Sequence, residues 1–235
     1  MKDTVLHPAL TIFAGRFGSG KTEAALNYAL SLVPGPSKGT SAAMGQVILI
    51  DLDIVTPYFR SREMAGAVKT QGVQVIAPSI IGQQLDVPAI TPQILGAIEQ
   101  SERPVVLDVG GDKQGARALG QFSTAIRQRG YTMHFVVNPY RPFTDTLEGL
   151  ASSISEIESS ARLQVTSLVS NPNLIGETTI ESIVEGHARI EGFAEALGLP
   201  IAFVCIERDW TEALGAVHFR QPILVLDRHF VMSWE

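Results

Sequence analysis

The sequence predicts an α/β protein with a three-layer, doubly wound, mostly parallel sheet and helices on both faces. Two observations carry this prediction. Short apolar runs alternate with longer segments of helical period along all 235 residues. The chain is also 45% hydrophobic, which is enough to bury strands on both faces of a sheet. Such alternation implies right-handed βαβ units, and the length fits one domain spanning residues 1–235.

The individual elements follow from the period and from local start and stop signals. Strands are predicted over residues 10–14, 47–52, 73–77, 105–109, 133–137, 165–170, 201–206 and 223–226. Helices are predicted over residues 22–33, 60–69, 91–100, 116–128, 144–161 and 177–197. The segment 34–45, rich in Pro, Gly and Ser, is expected to be a surface loop. Because open α/β sheets bind ligands at the carboxyl ends of their strands, the loops there should carry the site.

Composition and charge disfavour several classes of protein. The net charge is −6 with no basic block, which argues against nucleic acid as a partner. The single cysteine, Cys205, lies in an apolar run and is expected to pack as a small buried hydrophobe. No apolar run approaches the roughly 20 residues that span a bilayer, and the tail 229–235 is too short for an amphipathic membrane helix. We therefore expect a cytoplasmic protein without a membrane anchor.

One segment predicts phosphate binding. Residues 15–22 read Gly15-Arg16-Phe17-Gly18-Ser19-Gly20-Lys21-Thr22, which matches G-x-x-x-x-G-K-[ST] between a predicted strand and a predicted helix. The glycines let backbone N–H groups converge on phosphates, and the helix directs the positive end of its dipole at them. Lys21 is expected to reach the β- and γ-phosphates, while the Thr22 hydroxyl coordinates Mg²⁺. This is a P-loop for a nucleoside triphosphate.

Acidic residues lie at the ends of two other predicted strands. Asp108 ends the strand before Gly110-Gly111, so we expect it to hold Mg²⁺, with a backbone N–H of Gly110 or Gly111 meeting the γ-phosphate. The alternative is that Asp108 only caps a turn. Asp51 and Asp53 are two residues apart, which puts both side chains on one face of a strand. One of them is expected to support the metal and the other to orient water; the alternative is a pair of turn-forming aspartates.

These motifs, in this order, resemble the MinD/ParA-like branch of P-loop NTPases, also described as the CobQ/CobB/MinD/ParA nucleotide-binding domain. The resemblance covers nearly the whole chain. It implies that Asp53 activates water and that Asp51 assists Mg²⁺. It also implies a base contact from Asn171, and the loop that contains Arg208 is expected to close over the base. Because the N-K-x-D segment usual in GTP-selective relatives is absent, ATP is favoured over GTP.

One position departs from that pattern. Members of this branch usually carry a lysine after the first P-loop glycine, which reaches the partner's nucleotide in a nucleotide-dependent homodimer. This chain has Arg16 there, followed by Phe17 where glycine is common. The sequence leaves open whether Arg16 acts as a cationic finger on phosphates or is an exposed loop arginine.

Two function classes fit these motifs. The first is a Mg²⁺-dependent ATPase that acts as a nucleotide switch for an unidentified protein partner or a cofactor-insertion process. The second is an ATP-dependent ligase or kinase with a small-molecule substrate, resembling dethiobiotin or cobyrinate diamide synthetases. The loop 80–91 is a candidate for partner or substrate contacts under either hypothesis. A binding module without hydrolysis is a third reading, which the three aspartates disfavour.

Overall fold

The computed structural model describes residues 10–34, 46–53, 69–77, 92–215 and 217–229. It contains an eight-stranded sheet in the order β3-β2-β4-β1-β5-β6-β7-β8, and each neighbouring pair is parallel. The strands are β1 (Leu10–Ala14), β2 (Val47–Leu52), β3 (Val73–Ile76), β4 (Val105–Val109), β5 (Thr132–Val137), β6 (Ser167–Ser170), β7 (Ile201–Glu207) and β8 (Ile223–Leu226). All eight predicted strands are present, and the predicted fold class is confirmed.

The described helices follow the same alternation. They are α1 (Lys21–Ser31), α2 (Pro92–Gln100), α3 (Lys113–Gly120), α4 (Ser123–Arg129), α5 (Leu147–Ala161), α6 (Ile180–Leu197) and the short α7 (Arg208–Thr211), with a 3₁₀ turn at Ile175–Glu177. Nearly all of the helix predicted over 60–69 lies outside the described residues. The loop 80–91 lies outside them entirely, as does most of the loop predicted over 34–45.

Three helix predictions were wrong in their bounds. The helix predicted from Glu177 begins at Ile180, after the 3₁₀ turn. The segment 116–128 forms two helices rather than one, because the chain turns after Gly120 and buries the Phe122 side chain in the core. A Cβ atom at Gly120 would lie 2.7 Å from the carbonyl oxygen of Ser160, so α3 ends in close contact with α5. The α5 helix begins at Leu147 instead of Thr144, and the Thr146 side chain caps it by accepting from the backbone N–H of Gly149 at 3.1 Å.

Helices cover both faces of the sheet, which gives three layers. The α1 helix packs its alanine-rich face, including Ala24 and Ala25, against side chains such as Phe13 and Val106 on one face of the sheet. Helices α2 to α6 pack on the other face. Cys205 is buried on the α1 side, as expected. None of the helices among the described residues is long and apolar enough to cross a membrane.

Candidate functional site

The P-loop connects the end of β1 to the start of α1. Gly20 precedes the helix with φ 82°, a left-handed conformation that favours glycine. No side chain caps the helix there, so its first turn presents backbone N–H groups, as phosphate-binding helices do. A Cβ atom at Gly20 would lie 2.2 Å from Nδ2 of Asn171, so a larger residue would collide with that side chain. The conformation is therefore fixed by both the backbone and the close approach of β6.

The three predicted aspartates lie beside this loop, on the face of the sheet that α1 covers. Alternating residues of β2 and β4 point to opposite faces, and Leu49 and Val106 pack against α1. Asp51 and Asp108 follow these residues by two positions and therefore share the α1 face. They are also direct partners in the β2–β4 register. The sheet thus brings two carboxylates from separate strands to the N-terminus of the P-loop helix.

A chain of contacts joins Lys21 to these acids. Its ammonium lies 3.4 Å from Oδ2 of Asp53, and both side chains are buried. The backbone N–H of Asp53 in turn donates to Oδ1 of Asp51 at 2.9 Å. Lys21 is therefore held at the edge of the sheet where the sequence predicts the β- and γ-phosphates, and Asp53 forms an ion pair with it there.

Asp108 has the features expected of a metal ligand. It is completely buried, and neither carboxylate oxygen accepts a hydrogen bond from the residues that the structure describes. Burial raises the pKa of Asp108 to about 6, although the nearby Lys21 charge and Thr22 hydroxyl lower it. Buried acceptors without partners are costly unless something binds them. Mg²⁺ takes oxygen ligands and is commonly held by one or two carboxylates and by phosphates, so these donors fit it.

The segment after β4 touches the P-loop directly. A Cβ atom at Gly111 would lie 2.7 Å from the backbone nitrogen of Phe17 and 2.9 Å from the carbonyl oxygen of Gly15. Only glycine fits this approach without displacing the loop. One at Gly110 would lie 3.3 Å from Oδ1 of Asp53. The predicted γ-phosphate contact and the predicted water-orienting carboxylate are therefore neighbours.

A cavity of about 540 Å³ extends from the P-loop along the carboxyl ends of β5 to β8. Its volume falls within the usual range for small-molecule sites. The P-loop and Gly111 line one end. The far end is lined by Asn173, Ile175, Glu207, Leu226 and Arg228, a mixture of apolar and polar side chains that suits a nucleobase and ribose.

Two residues predicted to contact the base have other partners. Asn171 lines the cavity and is buried, but its Nδ2 donates to the carbonyl oxygen of Ser19 at 2.7 Å. This bond ties β6 to the P-loop, so Asn171 shapes the phosphate cradle. Arg208 is not among the residues that line the cavity, because its guanidinium is paired with Asp227, with Nη2 donating at 2.7 Å. Arg228 lines the cavity in its place.

The Arg16 side chain is partly buried and contacts the α5 helix. Its guanidinium forms an ion pair with Glu156 of α5, and its Nε donates to the Ser153 hydroxyl at 2.9 Å. It also lies over the Phe143 ring, 5.4 Å from the centroid. Glu156 accepts from Lys113 at 3.0 Å as well. One acid therefore links the P-loop to the first residue of α3.

Sequence reasoning interpreted the segment 138–141, at the functional edge of the sheet, as an ordinary turn, and it missed other lining residues. Arg141 and Phe143 follow β5, and Leu226 and Arg228 lie at the end of β8. Their position was the available signal, since all four lie at or after the ends of strands that finish at the same edge of the sheet. His187 is buried and bonds the Ser170 hydroxyl through Nδ1 at 2.9 Å, as a core histidine does.

Solved structures with a similar fold exist. FtsY from the chloroplast of Physcomitrella patens matches with a TM-score of 0.51 and 18% identity over 84% of this chain and 58% of that one. The cell division protein FtsY from Thermotoga maritima gives 0.52 and 18%, over 86% and 63% respectively. FtsY from Mycoplasma mycoides gives 0.52 and 16%, over 88% and 62%.

This chain thus spans about three fifths of the length of those structures. No family model matches the sequence, and no curated protein matches it at a significant level. At these identities the likeness concerns the fold. Together with the P-loop at the end of β1 and the parallel eight-stranded sheet, it shows that the chain has the three-layer fold of P-loop NTPases.

Proposed function

We propose that this protein is a Mg²⁺-dependent ATPase that acts as a nucleotide switch for a protein partner or for a cofactor-insertion process, as in the MinD/ParA-like branch. The observation that carries the proposal is Asp108, whose buried oxygens lack hydrogen-bond partners beside Lys21 and Thr22 of the P-loop. A structural aspartate at this depth would have its oxygens satisfied by neighbouring donors. Unpartnered carboxylate oxygens beside a P-loop are better explained as ligands of a cation.

Different residues carry the separate roles that phosphoryl transfer to water requires. Mg²⁺, when bound, neutralises charge on the phosphates; Asp108 and Thr22 would hold it, with Asp51 supporting them. Lys21 leaves its contact with Asp53 for the β- and γ-phosphates. Asp53, released from the ammonium, is then available to orient the attacking water beside Gly110. Backbone amides stabilise charge on the γ-phosphate, and no covalent intermediate is required.

The same contacts support a switch. Gly111 lies against the P-loop backbone, and α3 begins two residues later at Lys113. A γ-phosphate that accepts a hydrogen bond from the Gly111 N–H would pull on the segment between β4 and α3. That segment is linked to Arg16 because Glu156 pairs with both Lys113 and Arg16. Occupancy of the phosphate site is therefore expected to change the position of α3, which is the kind of coupled element that nucleotide switches use.

Calorimetric titration of ATP and GTP, with and without Mg²⁺, tests the proposal. The Lys21→Ala variant is expected to lose at least about 100-fold in ATP affinity, since it removes a charge-assisted contact and leaves Asp53 buried without its ion-pair partner. Lys69→Ala is the matched control, because Lys69 is exposed and precedes β3 at the opposite edge of the sheet. The Asp53→Asn variant should bind ATP but hydrolyse it at least about 100-fold more slowly.

The outcomes separate the hypotheses. Failure of both nucleotides to bind at millimolar concentration would refute the proposal. Tighter binding of GTP than ATP would show that the protein prefers guanine to adenine, and the proposed roles of the phosphate-binding residues would still hold. Turnover stimulated by a small-molecule carboxylate rather than by a protein would favour the ligase or kinase alternative.

A further inference from the structure

The loop after β5 is a rigid structure beside the P-loop. Thr144 is completely buried, and its hydroxyl donates to the carbonyl oxygen of Asn138 at 2.7 Å. The Asn138 side chain donates to the carbonyl oxygen of Asn173 at 2.7 Å and accepts from the N–H of Tyr140 at 3.1 Å. The N–H of Arg141 closes the turn on the Asn138 carbonyl at 3.2 Å. Residues 138–144 therefore hold Arg141 in one place.

The Arg141 side chain lies against the P-loop and lines the cavity. A Cβ atom at Gly18 would lie 3.6 Å from both Cδ and Nε of Arg141. The Nε atom is buried and has no hydrogen-bond partner among the described residues. Within the part of the chain that the structure describes, no carboxylate forms an ion pair with this guanidinium. A fixed arginine with an unpartnered buried donor thus borders the phosphate loop.

This arrangement has a cost that a bound anion would remove. A buried N–H donor without an acceptor is destabilising. Guanidinium groups bind phosphate oxygens through paired N–H donors. Arg16, which lies in the P-loop itself, already has its charge satisfied by Glu156. Of these two arginines, Arg141 is the one whose hydrogen-bonding capacity remains open toward the cavity.

We propose that Arg141, rather than Arg16, is the cationic side chain that contacts the phosphate oxygens of the nucleotide, supplied by the same chain that carries the P-loop. This inference rests on the proposed function, since it requires a nucleotide in the P-loop. It makes phosphate binding independent of an arginine from a second copy of the chain. Arg16 then acts as a link between the P-loop and α5.

The test uses Arg141→Met, which keeps an unbranched stem against Gly18 but removes the charge and the unpartnered donor. Calorimetry measures affinity for ATP, GTP and magnesium tripolyphosphate, and thermal melting measures the nucleotide-free protein. We expect affinity for all three ligands to fall at least about tenfold, the loss of a charge-assisted bond. The melting temperature without ligand should stay the same or rise. Arg141→Lys should lose less affinity than Arg141→Met.

Arg127→Met is the matched control, because the exposed Arg127 donates to the Arg162 carbonyl, away from the cavity. If Arg141→Met binds the three ligands within about twofold of the wild type, the inference is wrong. It is also wrong if Arg141→Met lowers the ligand-free melting temperature and Arg141→Lys restores it, because the role is then structural. Normal binding by Lys21→Ala would instead refute the proposed function, and the Arg141 inference would fall with it.

Discussion

Replacing Asn171 with alanine removes the hydrogen bond that joins β6 to the P-loop. The bond is 2.7 Å long and lies in a buried setting, so its loss leaves the Ser19 carbonyl without this donor. Leaving one buried partner unsatisfied costs about 1–3 kcal/mol. For a chain of this length, about 2 kcal/mol corresponds to a fall of roughly 4–8 °C in melting temperature. Because the bond fixes the loop before Gly20, we also expect affinity for phosphates to fall by about tenfold.

Three ligands distinguish this role from a base contact. If Asn171 positions the P-loop, Asn171→Ala weakens ATP, GTP and magnesium tripolyphosphate by similar factors, as measured by calorimetry. If it contacts the base, the ratio of ATP to GTP affinity changes while tripolyphosphate binds normally, and that result would refute the positioning role. Asn173→Ala is the matched control, because Asn173 donates to Glu207 at the far end of the cavity. It should weaken nucleotides and spare tripolyphosphate.

Two further predictions concern stability. Gly115→Ala should destabilise the protein by about 1–3 kcal/mol and slow hydrolysis, because the new Cβ would lie 2.6 Å from Cα of Gly110. His134→Gln should flatten the acid limb of the stability profile. Burial lowers the pKa of His134 from 6.5 to about 4, so the unfolded chain binds a proton that the folded chain excludes between these values. The contribution of His134 to the free energy of unfolding is therefore fully present above pH 6.5. It falls by about 3 kcal/mol as the pH drops to 4.

Chemical denaturation checks both predictions. Gly192→Ala is the control for the glycine, since nothing lies within 4 Å of its Cβ position in α6, and it should stabilise by about 0.5–1 kcal/mol. Equal effects of the two glycine substitutions would contradict the close packing at Gly110. His218→Gln, at an exposed position, is the control for the histidine. An unchanged difference between pH 6.5 and pH 4 in His134→Gln would show that His134 is not the titrating group.

Local patterns predicted much of this structure. Each strand is a short apolar run with glycine, proline or polar residues nearby, and the period-two rule placed Asp51 and Asp53 on one face before any packing was known. The P-loop was equally local, because its eight residues and its flanking strand and helix are contiguous. The errors in the helix bounds fell at 120–122, 144–146 and 177–179. A buried Phe122 and a buried Thr144 override the helical period at the first two, and a 3₁₀ turn precedes the helix at the third.

The α/β class, the eight strands and the location of the phosphate loop could be predicted from local sequence patterns, since these depend on residues a few positions apart. Which distant groups meet depends on the packing of the folded chain. The insertion of β4 between β2 and β1 makes Asp51 and Asp108 partners. The bond from Asn171 to Ser19 spans 152 positions, and the bond from Arg16 to Ser153 spans 137. Such contacts depend on strand order and helix packing, which no local period encodes.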